Sequence, residues 1–169
     1  MKFMQRISRG TEAGLIAGTA VALVFFVSDL VHLTPLAPPA ALANALMADP
    51  PAGVDLPMAA SMTGAVVLAA GVVVYSAFHF AAFAVLGVVA AFLLPGRPWT
   101  HMLGGGAVFG VVACTAVFFG TRLVVGSPFA VDNLSLSTLV LTNAAAGLAI
   151  GLMLYVHEAA DRHAEAEPA

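Results

Sequence analysis

The sequence predicts an all-α protein, a bundle of four transmembrane helices that forms a single membrane domain over residues 1–169. Three observations predict it: 61% of the residues are hydrophobic, only 9% are charged, and the mean hydropathy is +1.00. An ordinary soluble domain carries about 25% charged residues. A chain this apolar cannot cover itself with a water-compatible surface, so the lipid bilayer is its expected environment.

Four stretches each hold the roughly 20 mostly apolar residues that a membrane-spanning helix needs. They cover about 12–33, 63–94, 102–125 and 136–157. The second is longer than a bilayer requires and should tilt or protrude. Pro95, Gly96 and Pro98 separate it from the third. The first apolar run is too long for a cleaved signal peptide, so we expect it to remain as a helix.

Basic residues set the expected orientation. Lys2, Arg6 and Arg9 precede the first span, and Arg97 lies between the second and third. The positive-inside rule therefore predicts cytoplasmic N- and C-termini, with residues 159–169 as a polar, frayed cytoplasmic tail. On the outer side, Pro39–Met47 is predicted to form a short helix at the membrane interface.

A motif recurs in the first and third spans at a spacing of 93 residues, and the second and fourth spans align more loosely. The matches are Val24-Phe25-Phe26 with Val117-Phe118-Phe119, Thr34-Pro35 with Ser127-Pro128, His79 with Asn143, and Gly87 with Gly151. The pattern predicts two parallel two-helix repeats, at about 10–95 and 100–158. Such repeats are related by an axis along the membrane normal.

The repeat predicts a polar cluster in the outer half of the membrane, formed by Asp29, His79, Arg122 and Asn143. Ionisable groups inside spans normally face the bundle interior, water or one another. Asp29 and Arg122 are therefore predicted to pair. The alternatives are a gate or ligand clamp at the outer mouth, or snorkelling of both side chains to the interface. Asn143 is expected to form a hydrogen bond between helices.

His79 leaves several interpretations open. Tyr75 and Phe83 lie one turn before and after it, on the same helix face. The leading interpretation is a hydrogen bond between helices. The alternatives are binding of a quinone or another small ligand, ligation of haem b or a metal, and proton relay. Haem b needs a second facing histidine, for which His32 is the outer candidate. The sequence requires no cofactor.

Glycines recur at four-residue spacing in three spans, a pattern that lets helices approach closely. The pairs are Gly14/Gly18, Gly106/Gly110 and Gly147/Gly151. The sequence does not determine whether their partner helices are internal or belong to another subunit.

Patterns for catalysis are missing from the sequence, which contains no P-loop, GxSxG, HExxH or CxxC motif. The single cysteine, Cys114, lies in an apolar run, and no metal site is predicted. The few basic residues form no stripe that could bind nucleic acid. We therefore predict that the protein is not an enzyme.

Three short motifs carry a family resemblance: Asp29-Leu30 followed by Thr34-Pro35, His79-x3-Phe83-x3-Gly87, and Asn143-x3-Gly147-x3-Gly151. With them the chain resembles a group of small, uncharacterised bacterial four-span membrane proteins. The resemblance implies a location in the bacterial inner membrane and supplies no activity.

Three functions remain open. The leading hypothesis is a non-catalytic subunit, either accessory to a membrane complex or self-associating, with lipid and other membrane subunits or itself as partners. The second is a carrier for a small molecule or an ion that uses the polar cluster. The third is an electron-transfer protein that binds haem b or a quinone.

Overall fold

A computed structural model describes residues 3–31, 62–117, 119–120 and 136–166. Within these ranges the chain forms four long helices and no strand: α1 (Phe3–Val31), α2 (Met62–Leu93), α3 (Trp99–Phe109) and α4 (Leu136–Ala166). A π-helical segment, Gly110–Cys114, continues α3 and is followed by α-helix as far as Val117. We use α3 for this whole span, Trp99–Val117. All four are long and apolar enough to cross a membrane. The prediction of an all-α, four-helix membrane protein is confirmed.

Two helix ends differ most from the sequence-based expectation. α1 begins at Phe3, well before the predicted start at Glu12, and α4 continues through Ala166 instead of ending at His157. The expectation of a frayed tail is wrong for residues 159–166, which continue α4 and in which the Asp161 carboxylate bonds to Arg9 of α1. The predicted interfacial helix Pro39–Met47 lies outside the described residues.

The helices pack as two hairpins that meet through α1 and α4. α1 packs along α2, α3 with its π-helical segment packs along α4, and α1 also packs along α4. Within the described ranges, α2 and α3 do not pack closely on each other. Buried core residues of the two central helices are Ala13, Ala17 and Val21 of α1 with Ala146, Ile150 and Leu154 of α4.

Glycine lets α1 and α2 touch through their backbones. A Cβ built on Gly14 would overlap the Phe83 carbonyl of α2, and one built on Gly87 would overlap the Gly10 carbonyl of α1. In lipid, where the tails are as apolar as the side chains, helix association depends on van der Waals contact of this kind. The first hairpin is therefore held by a glycine-lined contact.

The second hairpin uses the same device. A Cβ on Gly147 would overlap the Gly106 carbonyl, and one on Gly110 would overlap the Asn143 carbonyl. Gly18 and Gly151 also face the partner helix of their own hairpin. All six glycines singled out in the sequence thus pack inside the chain.

Alanine at position 147 is expected to destabilise the protein, because the added Cβ meets the α3 backbone, which cannot turn aside as a flexible side chain can. Overpacking of this kind costs about 1–3 kcal/mol, so the midpoint of thermal unfolding in detergent micelles should fall for Gly147→Ala.

Gly104→Ala is the matched control, since a Cβ at Gly104 meets no atom within 4 Å. Alanine stabilises a helix by about 1 kcal/mol relative to glycine, so the midpoint of thermal unfolding of Gly104→Ala should stay the same or rise. An equal loss of stability in both variants would contradict the glycine contact.

Candidate functional site

Charged side chains meet at the end of the bundle where α1 starts and α4 ends. Arg9 donates two hydrogen bonds to the Asp161 carboxylate, at 2.5 and 2.7 Å, and one to the His157 carbonyl at 3.2 Å. Glu12 Oε2 lies 3.5 Å from His157 Nε2. A guanidinium that bonds a carboxylate through two nitrogens fixes geometry as well as attracting charge. We call Arg9, Glu12, His157, Glu158 and Asp161 the end cluster.

Glu158 extends the end cluster to the turn between α2 and α3. Its carboxylate oxygens accept hydrogen bonds from the Gly96 backbone N–H at 3.1 and 3.3 Å, and one lies 3.6 Å from an Arg162 nitrogen. Gly96 has a φ of 76°, a left-handed conformation that favours glycine. These contacts therefore connect the start of α1, the α2–α3 turn and the end of α4 at one end of the bundle.

Sequence reasoning missed this cluster and used Arg9 only to orient the chain. The start of α1 and the end of α4 lie at the same end of the bundle, where opposite charges can meet. The sequence therefore contained a signal, because basic residues precede the first span and acidic residues follow the fourth.

His79 links the two helices of the first hairpin. Its Nε2 lies 2.9 Å from the Gly18 carbonyl oxygen of α1, and because a carbonyl can only accept, Nε2 is the donor. The ring centroids of Tyr75 and Phe83 lie 5.8 and 4.8 Å from that of His79. This contact is the hydrogen bond between helices that the sequence favoured for His79. Ligation of haem or a metal through Nε2 would first have to break it.

Asn143 links the two helices of the second hairpin. It is buried, and its Nδ2 donates a hydrogen bond of 3.3 Å to the Thr115 hydroxyl of α3. Thr115 is the first residue after the π-helical segment. Asn143 therefore forms the hydrogen bond between helices that the sequence suggested.

The predicted polar cluster lies only partly within the described residues. His32, Arg122 and the side chain of Asp29 fall outside them, so the pairing of Asp29 with Arg122 stays a prediction. Instead of meeting each other, His79 hydrogen-bonds to α1 and Asn143 hydrogen-bonds to α3. In the described ranges, no group of three or more His, Cys, Asp or Glu residues could hold a metal ion.

No protein family model, curated protein or solved structure matches this chain. Its function therefore has to be inferred from its own geometry. That geometry consists of charged contacts at one end of the bundle and a hydrogen bond between the helices of each hairpin.

Reversing either charge of the Arg9–Asp161 pair is expected to lower the midpoint of thermal unfolding, because like charges would then face each other between α1 and α4. Arg9→Asp and Asp161→Arg should each be destabilised, and the double variant should recover most of the loss. The measurement is thermal unfolding in detergent micelles at low salt, where charge interactions are least screened. A double variant no more stable than the single ones would argue against the pair.

His79→Leu is expected to lose the hydrogen bond to Gly18 while keeping an apolar side chain. Hydrogen bonds between membrane helices contribute about 0.6 kcal/mol on average and about 1.7 at most, so a modest fall of the unfolding midpoint should follow.

His101→Leu serves as the control, since His101 is exposed and its ring nitrogen lies 3.4 Å from the hydroxyl of the neighbouring Thr100. This variant should unfold as the wild type does. The same loss in both variants would show that the His79 bond contributes nothing specific.

Proposed function

We propose that the protein is a non-catalytic subunit of a membrane complex, assembled with further copies of itself or with other membrane helices. The observation that supports this is how the polar side chains are used. The end cluster fastens α1, α4 and the α2–α3 turn, and His79 and Asn143 each bond within their own hairpin. Catalysis and transport need polar groups that converge on a ligand. The groups named here contact other parts of the chain instead.

The surface that we propose for the partner is the outward face of α2. In the most apolar stretch of α2 11% of residues are buried, compared with 44% in α4. Val66, Val73, Phe78 and Val85 on this helix are between 62% and 71% exposed. The glycines no longer support association with a partner, because their contacts are made inside the hairpins. Of the four helices α2 is the least covered, which favours it as the interface.

We further propose that the protein lies in the bacterial inner membrane with both termini in the cytoplasm. Arg6, Arg9 and Arg97 lie towards the end of the bundle that carries the end cluster, and the positive-inside rule assigns such an end to the cytoplasm. Trp99 is exposed at the start of α3, and tryptophan is enriched at membrane interfaces. The bacterial membrane follows from the sequence resemblance alone.

A carrier for a small molecule or an ion is the second candidate function. The observation that favours it is the π-helical segment directly before Thr115, since single π-helical turns within α-helices are frequent at functional sites. Under this hypothesis Asn143→Ala would abolish the flux of the carried molecule or ion into liposomes while leaving the protein folded. Haem b or quinone binding is not favoured by a comparable observation.

A photo-crosslinking amino acid placed on α2 tests the proposed interface in native membranes. At positions 73 and 85 it should yield adducts with a second copy of the chain or with another protein, identified by mass spectrometry. Positions 108 and 112 on α3 are the matched controls, because Val108 and Val112 are 66% and 64% exposed, close to Val73 and Val85. Adducts with lipid alone at all four positions would contradict the proposed function.

A further inference from the structure

We infer that the π-helical segment Gly110–Cys114 is a one-residue insertion in the second of two equivalent hairpins. The segment accommodates the additional residue. The part of α3 that follows Cys114 therefore presents the same face to its hairpin partner as the corresponding part of α1 does. This inference concerns the construction of the bundle and does not rest on the proposed function.

The glycine contacts before the segment establish which positions are equivalent. In the first hairpin Gly14 lies against Phe83 and Gly87. In the second, Gly106 lies against Gly147 and Gly151, which follow Phe83 and Gly87 by 64 residues. Gly106 itself follows Gly14 by 92 residues, so α3 matches α1 at an offset of 92.

The next pair of contacts repeats this offset. Gly18 lies against Phe83 and accepts the hydrogen bond from His79. Gly110, which is 92 residues later, lies against Gly147 and Asn143. Because His79 and Asn143 are also 64 residues apart, both residues that Gly18 contacts have a positional counterpart at Gly110, although there the contact is with the Asn143 backbone.

Beyond the segment the offset is 93. Buried Gly18 and Val21 are three residues apart in α1, whereas buried Gly110 and Cys114 are four residues apart in α3. Cys114 therefore matches Val21 at an offset of 93. The side-chain exposures then agree at the new offset. They are 52% for Val24 and 41% for Val117, and 47% for Phe26 and 46% for Phe119. This is the offset of the V-F-F motif in the sequence.

A π-helical turn explains how both offsets can hold. In a regular α-helix one additional residue would rotate everything after it by about 100°. A π-helical turn bonds residue i to i+5 instead of i+4 and so accommodates one residue more. Without this turn Thr115 would match Leu23, which is 58% exposed, rather than the half-buried Ala22. The turn therefore keeps the Thr115 hydroxyl beside Asn143.

Deletion of Val112 from the full chain tests the inference. The shortened α3 should form a continuous α-helix with Thr115 still beside Asn143, and the midpoint of thermal unfolding should change by less than about 5 °C. Val112 is exposed, so its own side chain contributes little to the core.

Deletion of Ala20 is the matched control, because Ala20 is the exposed position that Val112 matches at an offset of 92. α1 holds no additional residue, so Val21 and everything after it would rotate away from the core. We expect loss of the monodisperse folded protein or a fall of more than about 10 °C. Comparable behaviour of the two deletions, whether both are tolerated or both unfold, would overturn the inference.

A double-mutant cycle provides a second measurement. Thr115→Val and Asn143→Ala should have effects on the midpoint that are less than additive, both in the full chain and after deletion of Val112, because the hydrogen bond is present in each. Coupling in the full chain that disappears after the deletion would show that the deletion moved Thr115, and would also overturn the inference.

Discussion

The fold depends on close approach of helix backbones in a solvent that offers no hydrophobic driving force between them. An apolar side chain is solvated equally well by lipid tails and by the side chains of another helix, so helices associate where their surfaces fit most closely. Gly14 and Gly87 bring α1 and α2 into backbone contact, and Gly106 and Gly147 do the same for α3 and α4. Each hairpin is therefore a tightly packed unit, and the other contacts in the bundle hold these units together.

The contact between the hairpins has a different chemistry. α1 contributes Ala13 and Ala17 to the core, and small side chains still allow the two central helices to lie close together. The end cluster adds Arg9 and Asp161 at one end of this contact. Ion pairs are less costly there than at the bilayer centre, because polar groups near helix ends can reach the interface. The hairpins are thus joined by a core that includes these small residues and by charge at one end.

The sequence predicted the elements better than their partners. α2 begins and ends within one residue of the prediction, because the apolar run is uninterrupted and Pro95 and Gly96 follow it. Hydropathy did not predict the start of α1 or the end of α4, since charged residues such as Arg9 and Asp161 lower it in stretches that are nevertheless helical. Glycine spacing predicted which faces pack, but spacing does not specify the facing helix.

The π-helical segment leaves no mark in the composition, and the sequence shows only that glycine pairs recur at a spacing of 92 residues and the V-F-F motif at 93. Asn143 shows why the second offset matters. A buried amide in a membrane has no water to bond and destabilises the protein unless another group satisfies it. In the first hairpin the longer His79 reaches a backbone carbonyl, whereas Asn143 bonds the Thr115 hydroxyl. The polar residue of α4 is thus satisfied by a hydroxyl that directly follows the π-helical segment.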